Sequence, residues 1–383
     1  VIFTSGSTGT PKGVAITHDN IAHSTAVRDE VYGETPDTFL LLSSLAFDSS
    51  MVGLFWTLCT GGTLVLPAAD QRRRLSHLAE SIEHHDVTHV LALPSLYSLL
   101  LDEHRSGQLD TLRTVIVAGE ACGRDVVDLH LERCPSARLF NEYGPTEGTV
   151  WSHAGRLDDR PGTAVSIGKP IPNSVGVVLG GADQVVPVGI PGELVLGGAG
   201  IAAGYLGRPG LTEQSFVRLP HLGGADRRWY RTGDLARWTP DGELEFLGRT
   251  DGQVKIRGHR VELGEIDAAL VDHESVRAAA TVVVTAEGET TERRRLIACY
   301  VSDTALEESA WKSALADRLP DYMLPSSLVR LESMPQTATG KVDRRALERL
   351  AHDHLEVAPV RSRRPVNELE RTLIAIWSDV LAR

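Results

Sequence analysis

The stretch Thr4-Ser5-Gly6-Ser7-Thr8-Gly9-Thr10-Pro11-Lys12-Gly13 decides the fold. It follows the apolar run Val1-Ile2-Phe3, which reads as a strand entering a loop. Its three glycines let backbone N–H groups come close to an anion, and its hydroxyls and Lys12 add donors and charge. These are the needs of a phosphate-binding loop. It is not the common P-loop, in which lysine directly follows glycine and precedes Ser or Thr. Here Pro11 precedes Lys12 and Gly13 follows.

Outward from this loop, 89–94 (HVLALP) and 114–120 (TVIVAGE) are continuous apolar runs ending in turn residues, as in strands buried on both faces. Residues 95–104 and 124–133 read as helices. Strand, helix, strand in this order predicts an α/β sheet with parallel pairing. From about 160 to 250, Gly and Pro punctuate short strands (GVVLG, GELVLGG, LEFLGR), which predicts an antiparallel, β-barrel-like annex. From Asp251 a smaller α+β unit is expected. It holds a hairpin in QVKIRGHRVE, a helix from Leu263, strands in AATVVVTA and LIACYVS, and a helix stopped by Pro320. The expected organisation is 1–250 as a large domain, 251–350 as a small separate one, 351–366 as a linker, and 367–383 as an amphipathic helix. That helix has Leu369, Leu373, Ile376, Trp377 and Val380 on one face. Both termini read as cut from a longer chain.

Composition narrows the function. A net charge of −12 argues against a nucleic-acid partner, whose phosphates need a basic surface. No apolar run is long enough to span a bilayer, and no signal peptide opens the sequence. The four cysteines form no C-x-x-C pair, which points to reduced thiols in a cytoplasmic protein. His85 and His89 are spaced H-x-x-x-H, but no third ligand accompanies them.

The order S-G-S-T-G-x-P-K-G resembles the phosphate loop of the adenylate-forming enzymes: acyl-CoA synthetases, luciferases and the adenylation domains of nonribosomal peptide synthetases. Further motifs follow in the family's order: NEYGPTEGT (141–149), YRTGDLARW (230–238), GRTDGQVKIRGHRVELGEID (248–267) and QTATGKVDRRAL (336–347). The resemblance implies a large α/β domain with a β-barrel-like annex and a small mobile C-terminal domain. It also implies ATP and Mg²⁺ as cofactors and assigns roles. Thr4, Ser5, Gly6, Ser7, Thr8, Gly9 and Lys12 hold phosphates. Tyr143 lies against adenine with Asn141 near the base edge, Gly119 and Gly144 also bind the nucleotide, Thr146 reaches the phosphates and Glu147 holds Mg²⁺; Thr8, Lys12, Glu147 and Lys341 are the implied catalytic residues. Asp234 accepts from the ribose, and Arg249 lies near ribose or phosphates. Asp251 is the hinge, and Lys255 and Gly258 belong to a hairpin facing the carrier arm. Lys341 bridges the substrate carboxylate and the α-phosphate, where a cation stabilises developing charge.

Within the family, LAFDSS (45–50) marks the peptide-synthetase branch, because Asp48 suits the ammonium of an α-amino acid. The resemblance then gives a substrate pocket of Asp48, Ser49, Val52, Ala92, Ile116, Ala118, Glu142, Val150 and Trp151, with Lys341. Glu142 stands out among small and apolar neighbours. A buried carboxylate needs a donor, so the expected substrate carries a polar side chain: a short diamino acid, a hydroxylated residue or tyrosine. The alternative is that Glu142 points away or bonds backbone amides. The implied partners are an amino acid, carrier and condensation domains of the same synthetase, and a small MbtH-like activator. The phosphopantetheine sits on a downstream carrier domain, of which 367–383 resembles the first helix. Two rival readings stay open: an acyl- or aryl-CoA ligase of the same fold, and an inactive fragment.

Overall fold

Seven strands carry the functional site, in the order Thr63–Val65, Thr38–Leu40, His89–Ala92, Thr114–Ala118, Arg138–Tyr143, His153–Arg156 and Lys169–Pro170. The first five run parallel, the sixth antiparallel to the fifth, and the seventh antiparallel to the sixth. The structure is a computed structural model. It describes residues 1–4, 11–68, 74–159, 164–223, 227–250, 253–256, 259–284, 295–336, 342–357 and 372–373.

The sheet is covered on both faces, which is why its strands are continuous apolar runs rather than alternating ones. Helices Leu75–His84, Pro94–Glu103 and Arg124–Arg133 pack Leu78, Ile82, Tyr97, Leu100 and Val127 onto Val90, Val115, Val117 and Leu139. Pro94 sits in the first turn of its helix, where its missing N–H costs nothing. On the opposite face Tyr32, Val52, Trp56 and Trp151 cover Phe39, Leu91, Ile116 and Phe140. The parallel strands all end on one edge of the sheet, the usual place for a ligand crevice in such folds.

Two antiparallel sheets complete this part. Ile2–Thr4, Lys12–Ala15 and Gly204–Tyr205 form a small one. The annex has Ser174–Leu179, Gly192–Gly198 and Arg228–Trp238 in succession. Arg228–Trp238 spans 11 residues, so its far edge takes Phe216–Arg218 along its first part and Leu244–Arg249 along its second.

The C-terminal residues have cores of their own. The hairpin Gln253–Ile256/His259–Glu262 and helices Leu263–Val271 and Glu308–Ala316 enclose Val261, Ile266, Leu296, Trp311 and Met323. Ala278–Val284 pairs antiparallel with Arg295–Val301. A third strand, Ser327–Leu331, runs parallel to the latter and is not evident from the sequence. The start of the linker expected from residue 351 also differs, because the helix Arg344–Val357 continues into it as far as Val357. Leu347 and Ala351, one turn apart, are both fully buried against Ala280, Val282 and Ile297, and this packing carries the helix on. The rest of the expected linker, and most of the helix expected over 367–383, lie outside the described residues.

Candidate functional site

A cavity of about 560 Å³ opens where the parallel strands end. Ala92, Ala118, Gly119, Glu142, Tyr143 and Gly144 line it from the strand ends, and Thr146 and Val150 from the turn that follows. Asp48 and Ser49 line it from a turn closed by Met51 N–H donating to the Asp48 carbonyl at 2.9 Å. Asp234 and Arg249 reach it from the annex. The chain beyond 250 adds Val254, His259, Glu265 and Tyr322. Thr4 and Pro11, the described residues on either side of 5–10, line it too. Ser5, Gly6, Ser7, Thr8 and Gly9 themselves lie outside the described residues, as do Asp251, Gly258 and Lys341. Of Lys255 only the backbone is described, in the hairpin.

Tyr143, Asp234 and Arg249 form one group. Asp234 and Arg249 face each other across neighbouring strands, and Arg249 Nη1 donates to Asp234 Oδ1. The Tyr143 hydroxyl donates to Asp234 Oδ2. Burial, with the Asp234 carboxylate beside it, holds the Tyr143 phenol well above its ordinary range. Asn141, expected near the base edge, is buried; its amide donates to the Ser166 carbonyl at 2.8 Å.

Lys12, Glu147 and Tyr205 form a second group, all buried. Lys12 Nζ lies 3.5 Å from Glu147 Oε1 and donates to the Tyr205 hydroxyl at 3.3 Å. That hydroxyl donates to Glu147 Oε1 at 2.6 Å. The backbone is clamped as well: Ala202 N–H donates to the Glu147 carbonyl at 2.9 Å. Among the described residues no three His, Cys, Asp or Glu side chains cluster as a metal cage. A single carboxylate such as Glu147 fits Mg²⁺, which keeps waters and takes its other ligands from substrate phosphates.

Glu142 corrects an expectation. The sequence leaves its carboxylate waiting for a donor on the substrate, but the chain supplies donors itself. Arg28 Nη1 reaches Oε1 at 2.5 Å, and the Tyr32 hydroxyl donates to the same oxygen. Arg28 and Tyr32 are only 1% exposed. They sit four residues apart on the short helix Arg28–Tyr32, so both project toward Glu142. A cation is thus already paired to this carboxylate inside the protein.

The remaining expected pocket residues lie behind the wall. Val52, Ile116 and Trp151 are buried in the aromatic core and do not line the cavity. The Trp151 indole N–H donates to the Ser24 carbonyl at 3.0 Å. Gly144 is needed for close approach: a Cβ there would lie 2.4 Å from Trp151 Cα and 2.7 Å from the Val150 carbonyl oxygen.

The comparisons with known proteins fit this geometry. The AMP-binding enzyme family matches residues 1–206, and the AMP-binding enzyme C-terminal domain matches 265–341. The chain belongs to the AMP-binding enzyme family. It is 44% identical over 384 residues to bacitracin synthase 3 of Bacillus licheniformis, matching all of this chain and 6% of that protein. To tyrocidine synthase 3 of Brevibacillus parabrevis it is 39% identical over 382 residues, again over all of this chain and 6% of the relative. The chain therefore spans a small part of the curated relatives it matches. Among solved structures, the Vibrio cholerae adenylation domain AlmE, in complex with glycyl-adenosine-5'-phosphate, superposes with a TM-score of 0.81 at 29% identity. That match covers 92% of this chain and 66% of AlmE. The expected adenylate-forming α/β fold and the resemblance to peptide-synthetase adenylation domains both hold.

Sequence reasoning missed Arg28, Tyr32 and Tyr205. For the first two a signal was present: an Arg and a Tyr at i, i+4 in VRDEVY, which a buried Glu elsewhere would need. Nothing in GYLGR marks Tyr205.

Proposed function

We propose that this family member activates an α-amino acid with ATP, forming aminoacyl-AMP and pyrophosphate, and passes the aminoacyl group to a carrier-bound thiol. One observation carries the reading: Asp48, the flanks of the phosphate loop and the Tyr143–Asp234–Arg249 group line the same cavity. A cavity of about 560 Å³ suits a ligand of nucleotide size.

In this reading a carboxylate oxygen of the amino acid attacks the ATP α-phosphorus, and the bond to the bridging oxygen of pyrophosphate breaks. Asp48 pairs with the ammonium and so aims the carboxylate. Lys12 and the 5–10 loop hold the phosphates, helped by the Thr4 hydroxyl, which has no partner among the described residues. Asp234 takes the ribose hydroxyls and Tyr143 lies against adenine. Glu147 would hold Mg²⁺, which supplies charge neutralisation at the phosphates. Lys341 meets the charge growing at the α-phosphorus. The chemistry asks for positioning and electrostatics rather than covalent catalysis. The division into 1–250 and 251–350 about Asp251 then serves the second step, in which a phosphopantetheine thiol attacks the acyl carbon and AMP departs. Carrier and condensation domains, with an MbtH-like activator, are its partners in the cytoplasm. No helix among the described residues is long and apolar enough to cross a membrane.

The test is amino-acid-dependent ATP–pyrophosphate exchange over a panel of acids. Exchange with one or a few α-amino acids, abolished in Asp48→Ala and reduced in Lys341→Ala, is expected. Exchange with fatty or aryl acids alone would refute the reading in favour of a CoA ligase.

A further inference from the structure

Glu142 lines the cavity beside Ala118, its partner across the strands. Its two oxygens differ. Oε1 accepts from both Arg28 Nη1 and the Tyr32 hydroxyl, whereas Oε2 has Arg28 Nη2 at 3.5 Å, the far limit of a hydrogen bond. A carboxylate oxygen can take two good donors, so Oε2 keeps acceptor capacity.

The donors are fixed in place. The Arg28 guanidinium lies 4.1 Å from the Trp151 ring centroid, and the Tyr32 ring is nearly parallel to Trp151 at 5.8 Å. Trp56 packs on Tyr32 at 5.1 Å and is itself tied to Asp29 by its indole N–H at 2.7 Å. Burial of this cluster means that Arg28 cannot swing away to leave Glu142 charged and alone.

We propose that Arg28 and Tyr32 are specificity-determining residues which make the side-chain pocket selective for an amino acid with a neutral, donor-bearing side chain. This rests on the amino-acid-activating reading above. A cationic side chain would meet a carboxylate whose charge is already compensated, with the guanidinium close behind. It would lose its hydration without gaining a free counter-ion. An anionic side chain would face a carboxylate directly. A hydroxyl, phenol or carboxamide can donate to Oε2, while its apolar body meets Ala92, Ala118 and Val150. Short diamino acids are therefore disfavoured, although Glu142 alone would have invited them.

The test compares kcat/KM in pyrophosphate exchange across four groups of amino acids: cationic (ornithine, lysine, 2,4-diaminobutyrate), anionic, apolar, and neutral donor-bearing (tyrosine, threonine, glutamine). The full chain is expected to work best with a member of the last group. In Arg28→Met the uncompensated carboxylate should shift the ratio of cationic to neutral substrates by roughly tenfold or more toward the cationic. Arg28→Met/Glu142→Gln, with no buried charge, should return it. Should Arg28→Met fail to fold, the double variant carries the test, because it must still reject cationic side chains. A protein that exchanges best with a cationic, anionic or purely apolar amino acid overturns the proposal and leaves the activity standing. So does a folded Arg28→Met with an unchanged ratio. Silence with every amino acid overturns both.

Discussion

His153 offers the sharpest test of the packing around the site. Its ring is fully buried, Nδ1 lies 2.9 Å from the Ser152 hydroxyl, and Nε2 has no partner among the described residues. Gly176 leaves room for it: a Cβ there would lie 2.5 Å from Nε2. Burial pushes its pKa from 6.5 down to about 3. The native state therefore stays unprotonated where the unfolded chain takes up a proton, between pH 6.5 and about 3. Stability is lost as pH falls through that window, at up to about 1.4 kcal/mol per pH unit. By pH 4.5 the loss attributable to His153 is about 2.7 kcal/mol. His153→Asn keeps a polar partner for Ser152 but removes the titration. It lowers stability at pH 7 through lost packing, an offset that does not depend on pH. Other groups cancel in the difference, including His89, held near 4 mainly by burial, and Asp267, pushed up to about 6 by burial, whose contribution runs the opposite way. Urea unfolding of both proteins from pH 7 to 4.5, followed by tryptophan fluorescence, should give curves that converge as pH falls. Parallel curves would refute the reasoning.

Three further outcomes follow from the same geometry. Gly144→Ala places a methyl against backbone rather than a movable side chain, so the 144–152 turn must shift; a cost of about 1–3 kcal/mol in urea unfolding and a larger loss of exchange activity are expected. Tyr205→Phe removes the hydroxyl that donates to Glu147, and the Mg²⁺ concentration for half-maximal exchange should rise roughly tenfold with the fold intact. Iodoacetamide at pH 8 should alkylate exposed Cys59 and spare Cys122, whose thiol burial pushes up to about 12, until the protein is unfolded; equal rates in the native state would count against this.

How far the sequence could be read depended on how local the cause was. His89–Ala92 and Thr114–Ala118 were legible because, after a polar first residue, burial on both faces leaves an unbroken apolar run. Ser327–Leu331 was not, because its half-buried residues show neither a continuous apolar run nor a clean alternation, and its partner strand lies 30 residues earlier. In the site, the motifs located Asp48, Tyr143, Asp234 and Arg249, all of which line the cavity. They could not show that Asp234 is already engaged by two of its companions, since that depends on strand register. The donors to Glu142 come from more than a hundred residues away, and only the fold brings them there.

The wall of the pocket illustrates why such long-range contacts matter for specificity. Thr149 and Val150 have φ of 60° and 75°, a conformation that β-branched residues rarely adopt. Each costs on the order of 1–3 kcal/mol and persists only where its surroundings over-determine it. Here three segments do so. The Thr149 hydroxyl donates to the Gly200 carbonyl at 2.6 Å, from the approach to the Tyr205 strand. Ser152 N–H donates to the Tyr143 carbonyl at 2.9 Å, from the central sheet. Trp151 is pinned between Gly144, Arg28 and Ser24. The position of Val150 against a bound side chain is therefore set jointly by the sheet, the small N-terminal sheet and the Arg28 helix. Exchanging lining residues alone leaves those supports tuned to the original wall. Changes of substrate preference in this chain should accordingly require residues that never touch the substrate, with Arg28 and Tyr32 foremost.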